Sequence, residues 1–357
     1  MWSQYPDLPS GFQAPAFTSY GGLAIQIGGF NSFAYSNQMN MISTTNWKSG
    51  WMNGSFPTAP NARNGHRVIS FGGTLYLFGG WDQTTYYNDL WAIDFNSYLL
   101  NTTMANGQLA TWYSIIPQNT QGMPPPRNSF SWDFAGHSTF LFGGFYHNVQ
   151  NVGPWTDCTN PAVDQCIFFN DLWMFRPGNP GTGIVPLTGN GGWTQITGVT
   201  SQTGVLPLGR YGHASGILAD QLYIFGGTSQ SNGVLTSLND LWAFNIPSQE
   251  WGQVQITSPW PQGGRGWPAG VMIGRHFYIY GGAAGAVTQD LWRWNPTFYP
   301  NGIPSTTTDT IISPAGLTAG LVISILISIG ILGLLVLIWR RGNTNNFIPP
   351  AAVYDQL

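Results

Sequence analysis

The sequence predicts an all-β fold made of repeated sheets, followed by one transmembrane α-helix. Three observations carry this expectation. Four times an arginine stands sixteen residues before the first glycine of a Gly-Gly pair, and each time Asp-Leu-Trp follows. Glycine and proline, 47 and 25 of 357 residues, mark frequent turns, while 17 Trp, 15 Tyr and 21 Phe suit short strands with aromatic packing. Near the end, Leu317 to Trp339 runs 23 residues without a charge.

Composition bounds the answer first. A hydrophobic share of 43% is enough to build a core. Charged residues make only 7%, where an average soluble domain carries about 25%, so solubility must rest on Asn, Gln, Ser, Thr and glycans. A net charge of -3 supplies no basic stripe to neutralise phosphates, which excludes nucleic acid as a partner.

The repeats come in order. Arg63 leads to LYLFGG (75–80) and NDLW (88–91); Arg127 to TFLFGG (139–144) and NDLW (170–173). Arg210 leads to LYIFGG (222–227) and NDLW (239–242); Arg265 to FYIYGG (277–282) and QDLW (289–292). A degenerate copy precedes them, with LAIQIGG (23–29) and NQMNMI (37–42) but no arginine. Most units close on a later tryptophan: Trp47 or Trp51, Trp112, Trp193 and Trp251. Between arginine and Gly-Gly there is room for two strands and a tight turn, and LYLF or FYIY reads as a buried strand. The Gly pair permits positive φ and close approach between sheets. Leu and Trp of Asp-Leu-Trp fall on opposite faces of a third strand, so each sheet buries surface against two neighbours.

These residues resemble the kelch repeat: an arginine, often a Gly-His pair, an apolar strand ending in Gly-Gly, a strand with an aromatic residue, and a final Trp. The resemblance covers about residues 2 to 299. It implies a kelch-type β-propeller of four-stranded blades, and a kelch period of about 50 residues fits the spacing. Trp2-Ser3-Gln4-Tyr5 is similar to Trp193-Thr194-Gln195-Ile196 and Trp251-Gly252-Gln253-Val254. The N-terminus is therefore expected to supply the outer strand of the last blade and close a five-bladed ring over residues 1–299, followed by an extended linker at 300–315.

The kelch resemblance also admits an enzyme, because galactose oxidase shares the architecture and holds copper with tyrosines, histidines and a crosslinked cysteine. Here Cys158 and Cys166 lie in one insertion (144–170) and read as a loop-stapling disulfide, with free thiols as the alternative. His66 and His213 follow their arginines by three and match the repeat's Gly-His element. No metal-binding or catalytic motif is present, so neither cofactor, metal nor catalytic residue is expected.

Binding residues remain. Arg63, Arg127, Arg210 and Arg265 leave two readings open: each bonds carbonyls or an acid within the blades, or together they form a cationic rim for an acidic peptide or anionic sugar. The loops 94–111, 144–170 and 176–192 offer recognition surface on a rigid frame. Trp81, Tyr86, Tyr87, Phe145, Tyr146 and Trp155 are candidate aromatic anchors for a protein or glycan.

The segment 316–339 is expected to cross the membrane, since 23 residues at about 1.5 Å each span about 34 Å. Arg340-Arg341 follow at once and place the tail 340–357 in the cytoplasm, with the propeller outside or in a lumen. Gly316, Gly320, Ser324 and Ser328 form a small-residue stripe suited to helix pairing and a homodimer. Tyr354 and Leu357 are similar to a tyrosine-based sorting signal. Asn53-Gly54-Ser55 and Asn101-Thr102-Thr103 are glycan acceptor patterns, which agree with the outward orientation. The first residues have neither a basic nor an apolar leader region, so the sequence is expected to be incomplete at its start. The reading is a non-enzymatic, membrane-anchored propeller that binds a protein or glycan; the alternatives are a galactose-oxidase-like enzyme and a cytosolic tail-anchored adaptor.

Overall fold

The computed structural model describes residues 14–31, 33–46, 48, 50–100, 111–115, 122–148, 166–177, 192–231, 234–255, 263–283 and 287–296. They fall in two compact units, one within Ser3–Phe142 and Leu172–Gln195, the other within Gly143–Asp171 and Ile196–Leu357. Both are built of mainly antiparallel sheets in which, apart from β15 (Thr200–Ser201), strands follow sequence order from one edge to the other, as in propeller blades.

The first unit holds three four-stranded sheets. Sheet one runs β1 (Ala16–Tyr20), β2 (Leu23–Phe30), β3 (Tyr35–Ser43) and β4 (Met52–Gly54). Sheet two runs β5 (Arg67–Phe71), β6 (Thr74–Phe78), β7 (Leu90–Asp94) and, after the short helix α1 (Phe95–Leu99), β8 (Tyr113–Ile115). The third pairs β9 (Ser131–Ala135) with β10 (Ser138–Phe142), then β13 (Leu172–Phe175) and β14 (Trp193–Gln195); the two-stranded sheet of β11 (Phe145–His147) and β12 (Cys166–Phe168) belongs to the second unit.

The second unit continues with a five-stranded sheet ordered β15 (Thr200–Ser201), β21 (Glu250–Val254), β20 (Leu241–Asn245), β17 (Gln221–Phe225) and β16 (Ala214–Leu218). β18 (Thr228–Ser231) and β19 (Val234–Ser237) form a hairpin between β17 and β20 in the chain. A three-stranded sheet of β22 (Ala269–Ile273), β23 (His276–Ala283) and β24 (Val287–Trp294) follows. Five blade-like sheets are therefore present, as the five Gly-Gly units predict.

Packing confirms why Asp-Leu-Trp is written as it is. Leu90 lies in the core between sheets two and three, while Trp91, its neighbour on β7, packs into the core between sheets one and two. Burying both faces removes large apolar areas from water, at about 25 cal/mol per Å². Outer-strand tryptophans do the same: Trp193 and Trp251 are fully buried.

The Gly-Gly pair ties one blade to the next. The second glycine donates its N–H to the carbonyl of the next blade's arginine: Gly29 to Arg63 at 2.8 Å, Gly80 to Arg127 at 2.9 Å, Gly144 to Arg210 at 2.8 Å and Gly227 to Arg265 at 2.7 Å. Both glycines of each pair have positive φ, from +62° to +109°. A Cβ on the first glycine would lie 2.7–2.9 Å from that same carbonyl at Gly28, Gly79, Gly143 and Gly226, so only glycine allows the approach.

The structure departs from the expectation in two places. Sheet four gains a fifth strand, because Thr200–Ser201 runs parallel to β21 along its outer edge. The region 94–111 begins not as a loop but as α1, whose N-terminus is capped by Asp94 accepting from the Ser97 N–H at 3.0 Å. Sheet five has three strands among the described residues. The proposed closing strand at Trp2, the linker, the membrane segment and the tail lie outside the described residues. Among the described residues no helix is long and apolar enough to cross a membrane.

Candidate functional site

The four arginines sit where each blade begins, and their surroundings correct the cationic rim. Arg63, Arg127, Arg210 and Arg265 are buried. Arg63 donates Nε to the Asn61 carbonyl at 2.9 Å, Nη1 to the Gly79 carbonyl at 3.0 Å, and both terminal nitrogens to Asp89 at 2.5 and 2.9 Å. Arg210 repeats the pattern with Leu208, Gly226 and Asp240, and Arg265 binds Gly281 and Asp290 in the same way. Arg127 donates Nε to the Pro125 carbonyl at 3.1 Å. Each of Asp89, Asp240 and Asp290 also accepts from the indole N–H of the Trp two residues on, at 2.6–2.7 Å. Burial raises the carboxyl pKa of Asp240 and Asp290, but the hydrogen bonds and charge of Arg210 and Arg265, with the indole N–H groups, outweigh it and hold both below the usual carboxylate value. The arginines are thus engaged inside their own blades, and no cationic surface is left to them at Arg63, Arg210 and Arg265.

The histidines are likewise internal. His66 packs against Gly28 of the preceding blade and Gly80 of its own, and His213 packs against Gly143 and Gly227. Phe130 fills the corresponding place against Gly79 in the third blade, so the position asks for a flat ring. Burial above all, with Arg63 and Arg67 nearby, pushes the His66 pKa well below 6.5 and keeps the ring neutral. Among the described residues no group of three His, Cys, Asp or Glu side chains converges to hold a metal.

The candidate aromatic anchors divide. Trp81 is only 3% exposed; it bridges Asn64 and Tyr86 and meets the rings of Tyr35 and Tyr86, each 5.8 Å away. Tyr87 lies under the Arg63 guanidinium at 3.7 Å and donates its hydroxyl to Asp82. Phe145 on β11 packs with Phe168 and Tyr211, each at 5.2 Å, and Trp267 closes the cluster 5.3 Å from Tyr211. These rings support hairpins rather than project from them. Tyr86 and Tyr146 are half-buried. Trp155, Cys158, Asn101, Gly316, Gly320, Ser324, Ser328, Tyr354 and Leu357 lie outside the described residues. Cys166 opens β12 opposite His147 and is not a free thiol.

Exposed apolar residues that the sequence reading missed lie on neighbouring segments. In the second unit, Ile167 on β12, Val205, Leu206 and Leu208 in the approach to Arg210, and Val234 and Leu235 on β19 are 38–63% exposed. The segment that leads into Arg210 meets both hairpins at Gly209. That glycine presses on the β12 backbone, where a Cβ would stand 2.1 Å from the Phe168 carbonyl, and its own carbonyl accepts from the Ser229 hydroxyl of β18 at 2.6 Å. In the first unit, Phe33 stands 94% exposed between β2 and β3. All these residues lie at the Gly-Gly end of their blades, on segments that lead from Gly-Gly to the third strand or into the arginine. Only the placement of Val-Leu and Ile within those segments signals them in the sequence.

The comparisons with known proteins agree with this frame. The kelch motif profile matches residues 62–97, the first full arginine-containing repeat. The repeat that begins at Arg63 thus matches the kelch motif. A second profile, the KLHDC2/KLHL20/DRC7 Kelch-repeats domain, matches residues 164–299. Relatives include Kelch domain-containing protein 3 of Bos taurus, 24% identical over 219 residues, covering 60% of this chain and 45% of the relative. Kelch domain-containing protein 1 of Mus musculus is 27% identical over 224 residues, 60% of this chain and 47% of the relative. Host cell factor 2 of Homo sapiens is 24% identical over 266 residues, 71% of this chain and 28% of the relative. The chain thus aligns with less than half the length of these relatives, and the matches support a kelch β-propeller.

Proposed function

We propose that the chain is a non-enzymatic kelch propeller, anchored by one membrane helix, that binds a protein ligand at the Gly-Gly end of its blades. The observation that carries the reading is the group of exposed aliphatic side chains Ile167, Leu208, Val234 and Leu235, on two hairpins and the segment that runs between them into Arg210. Scattered apolar residues on a surface need no explanation, but a group on adjoining segments does. Aliphatic side chains favour a protein over a glycan, since sugars stack on exposed aromatic faces and the rings beside these hairpins, Phe145, Phe168 and Tyr211, pack on one another. Orientation with the propeller outside the cytoplasm rests on the uncharged segment ending at Trp339 and on Arg340-Arg341. A disulfide between Cys158 and Cys166 belongs to the same reading, as such bonds persist in oxidising compartments.

The test is selection of displayed peptides on the full chain held in lipid nanodiscs, followed by titration onto variants. Ile167→Asp and the pair Val234→Asp with Leu235→Asp are expected to weaken the selected peptides at least tenfold, a loss of about 1.4 kcal/mol. Unchanged affinity in folded variants would move the site elsewhere.

A further inference from the structure

We propose that Asn53 carries an N-linked glycan on the outer edge of the first blade. Asn53-Gly54-Ser55 is one of two acceptor tripeptides in the chain, and three facts of placement single it out. It lies on β4, the outermost strand of its sheet, with β3 on one side and no strand on the other among the described residues. Asn53 and Ser55 are both exposed, so the carboxamide and the hydroxyl that acceptor recognition requires face solvent. Among the described residues nothing hydrogen-bonds the Asn53 carboxamide, so a sugar there breaks no existing contact. Asn40, its partner in register on β3, is by contrast buried, with its carboxamide donating to Gln26.

The edge also has a use for such a group. Exposed edge strands are commonly blunted by charge, proline or a covering segment. β4 reads Met-Asn-Gly, with Met52 43% exposed, and a chain with 7% charge has few charges to place there. Sheet four meets the same need by laying β15 along the outer edge of β21. A glycan would shield β4 sterically.

The modification joins Asn53 Nδ2 to the anomeric carbon of an oligosaccharide delivered on a lipid pyrophosphate. The bond from that carbon to the pyrophosphate oxygen breaks, the amide gives up one proton, and the lipid pyrophosphate leaves; no oxidation occurs. The proposal rests on the outward orientation argued above.

The test expresses the full chain with Asn101→Gln, behind a secretion signal and a short N-terminal acceptor tag, and reads gel mobility before and after peptide N-glycosidase. Two removable glycans are expected, falling to one with Ser55→Ala and returning to two with Ser55→Thr. Modification of the tag alone overturns the Asn53 site while leaving the orientation intact. Modification of neither overturns the orientation and this site with it.

Discussion

At the scale of single residues, the fold depends on positions where one chemistry fits. Gly226 has φ +63°, and a Cβ there would lie 2.7 Å from the Arg265 carbonyl that its neighbour Gly227 must reach. Gly226→Ala is expected to cost about 2–4 kcal/mol in urea unfolding, from strain and the parting of two blades. His66 offers a second test, because its folded pKa lies well below 6.5. The unfolded chain therefore takes up the proton first, so this contribution to stability is complete above about pH 6.5 and is lost as pH falls below it. His66→Phe, which copies Phe130, is expected to keep the fold and to lessen the loss between pH 6.5 and 5 by up to about 2 kcal/mol. An equal loss in wild type and variant would show that the ring does not titrate as argued. These residues were legible in the sequence because they repeat. Their partners were not, since the sixteen-residue step alone does not say whether Arg210 faces a ligand or Asp240.

At the scale of elements, three blades are closed by an arginine fork on the aspartate of Asp-Leu-Trp, at Arg63 with Asp89, Arg210 with Asp240 and Arg265 with Asp290. Asp240→Asn leaves a fully buried guanidinium with half its bonding and is expected to cost on the order of 3 kcal/mol, measured by denaturant midpoint at pH 7. Wild type should likewise lose stability below about pH 4, because the depressed Asp240 pKa makes its contribution complete above the ordinary carboxylate value and lost as pH falls through the folded one. Strands β6, β10, β17 and β23 could be read directly from runs such as LYIF, which are buried on both faces. β15 and α1 could not. β15 is a two-residue strand that, among the described residues, pairs with β21 far along the chain, and α1 is capped by Asp94, which accepts from the Ser97 N–H and hydroxyl. The exposed aliphatic residues of the hairpins escaped for a different reason: Val234, Leu235 and Ile167 stand where the units differ from one another, so periodicity is blind to them.

At the scale of the molecule, the account separates a repeated frame from a variable crest. Arginines, glycines and inward rings build the frame, and the exposed aliphatic residues beyond Gly-Gly are the proposed binding surface. The central claim is that division of labour, and one titration addresses it. A peptide selected on the full chain should bind Arg127→Ala and Arg210→Ala with wild-type affinity wherever these variants remain folded, and should bind Val234→Asp with Leu235→Asp at least tenfold more weakly at an unchanged melting temperature. Full affinity at the altered hairpin together with loss in a folded arginine variant would contradict the account and return recognition to the arginines.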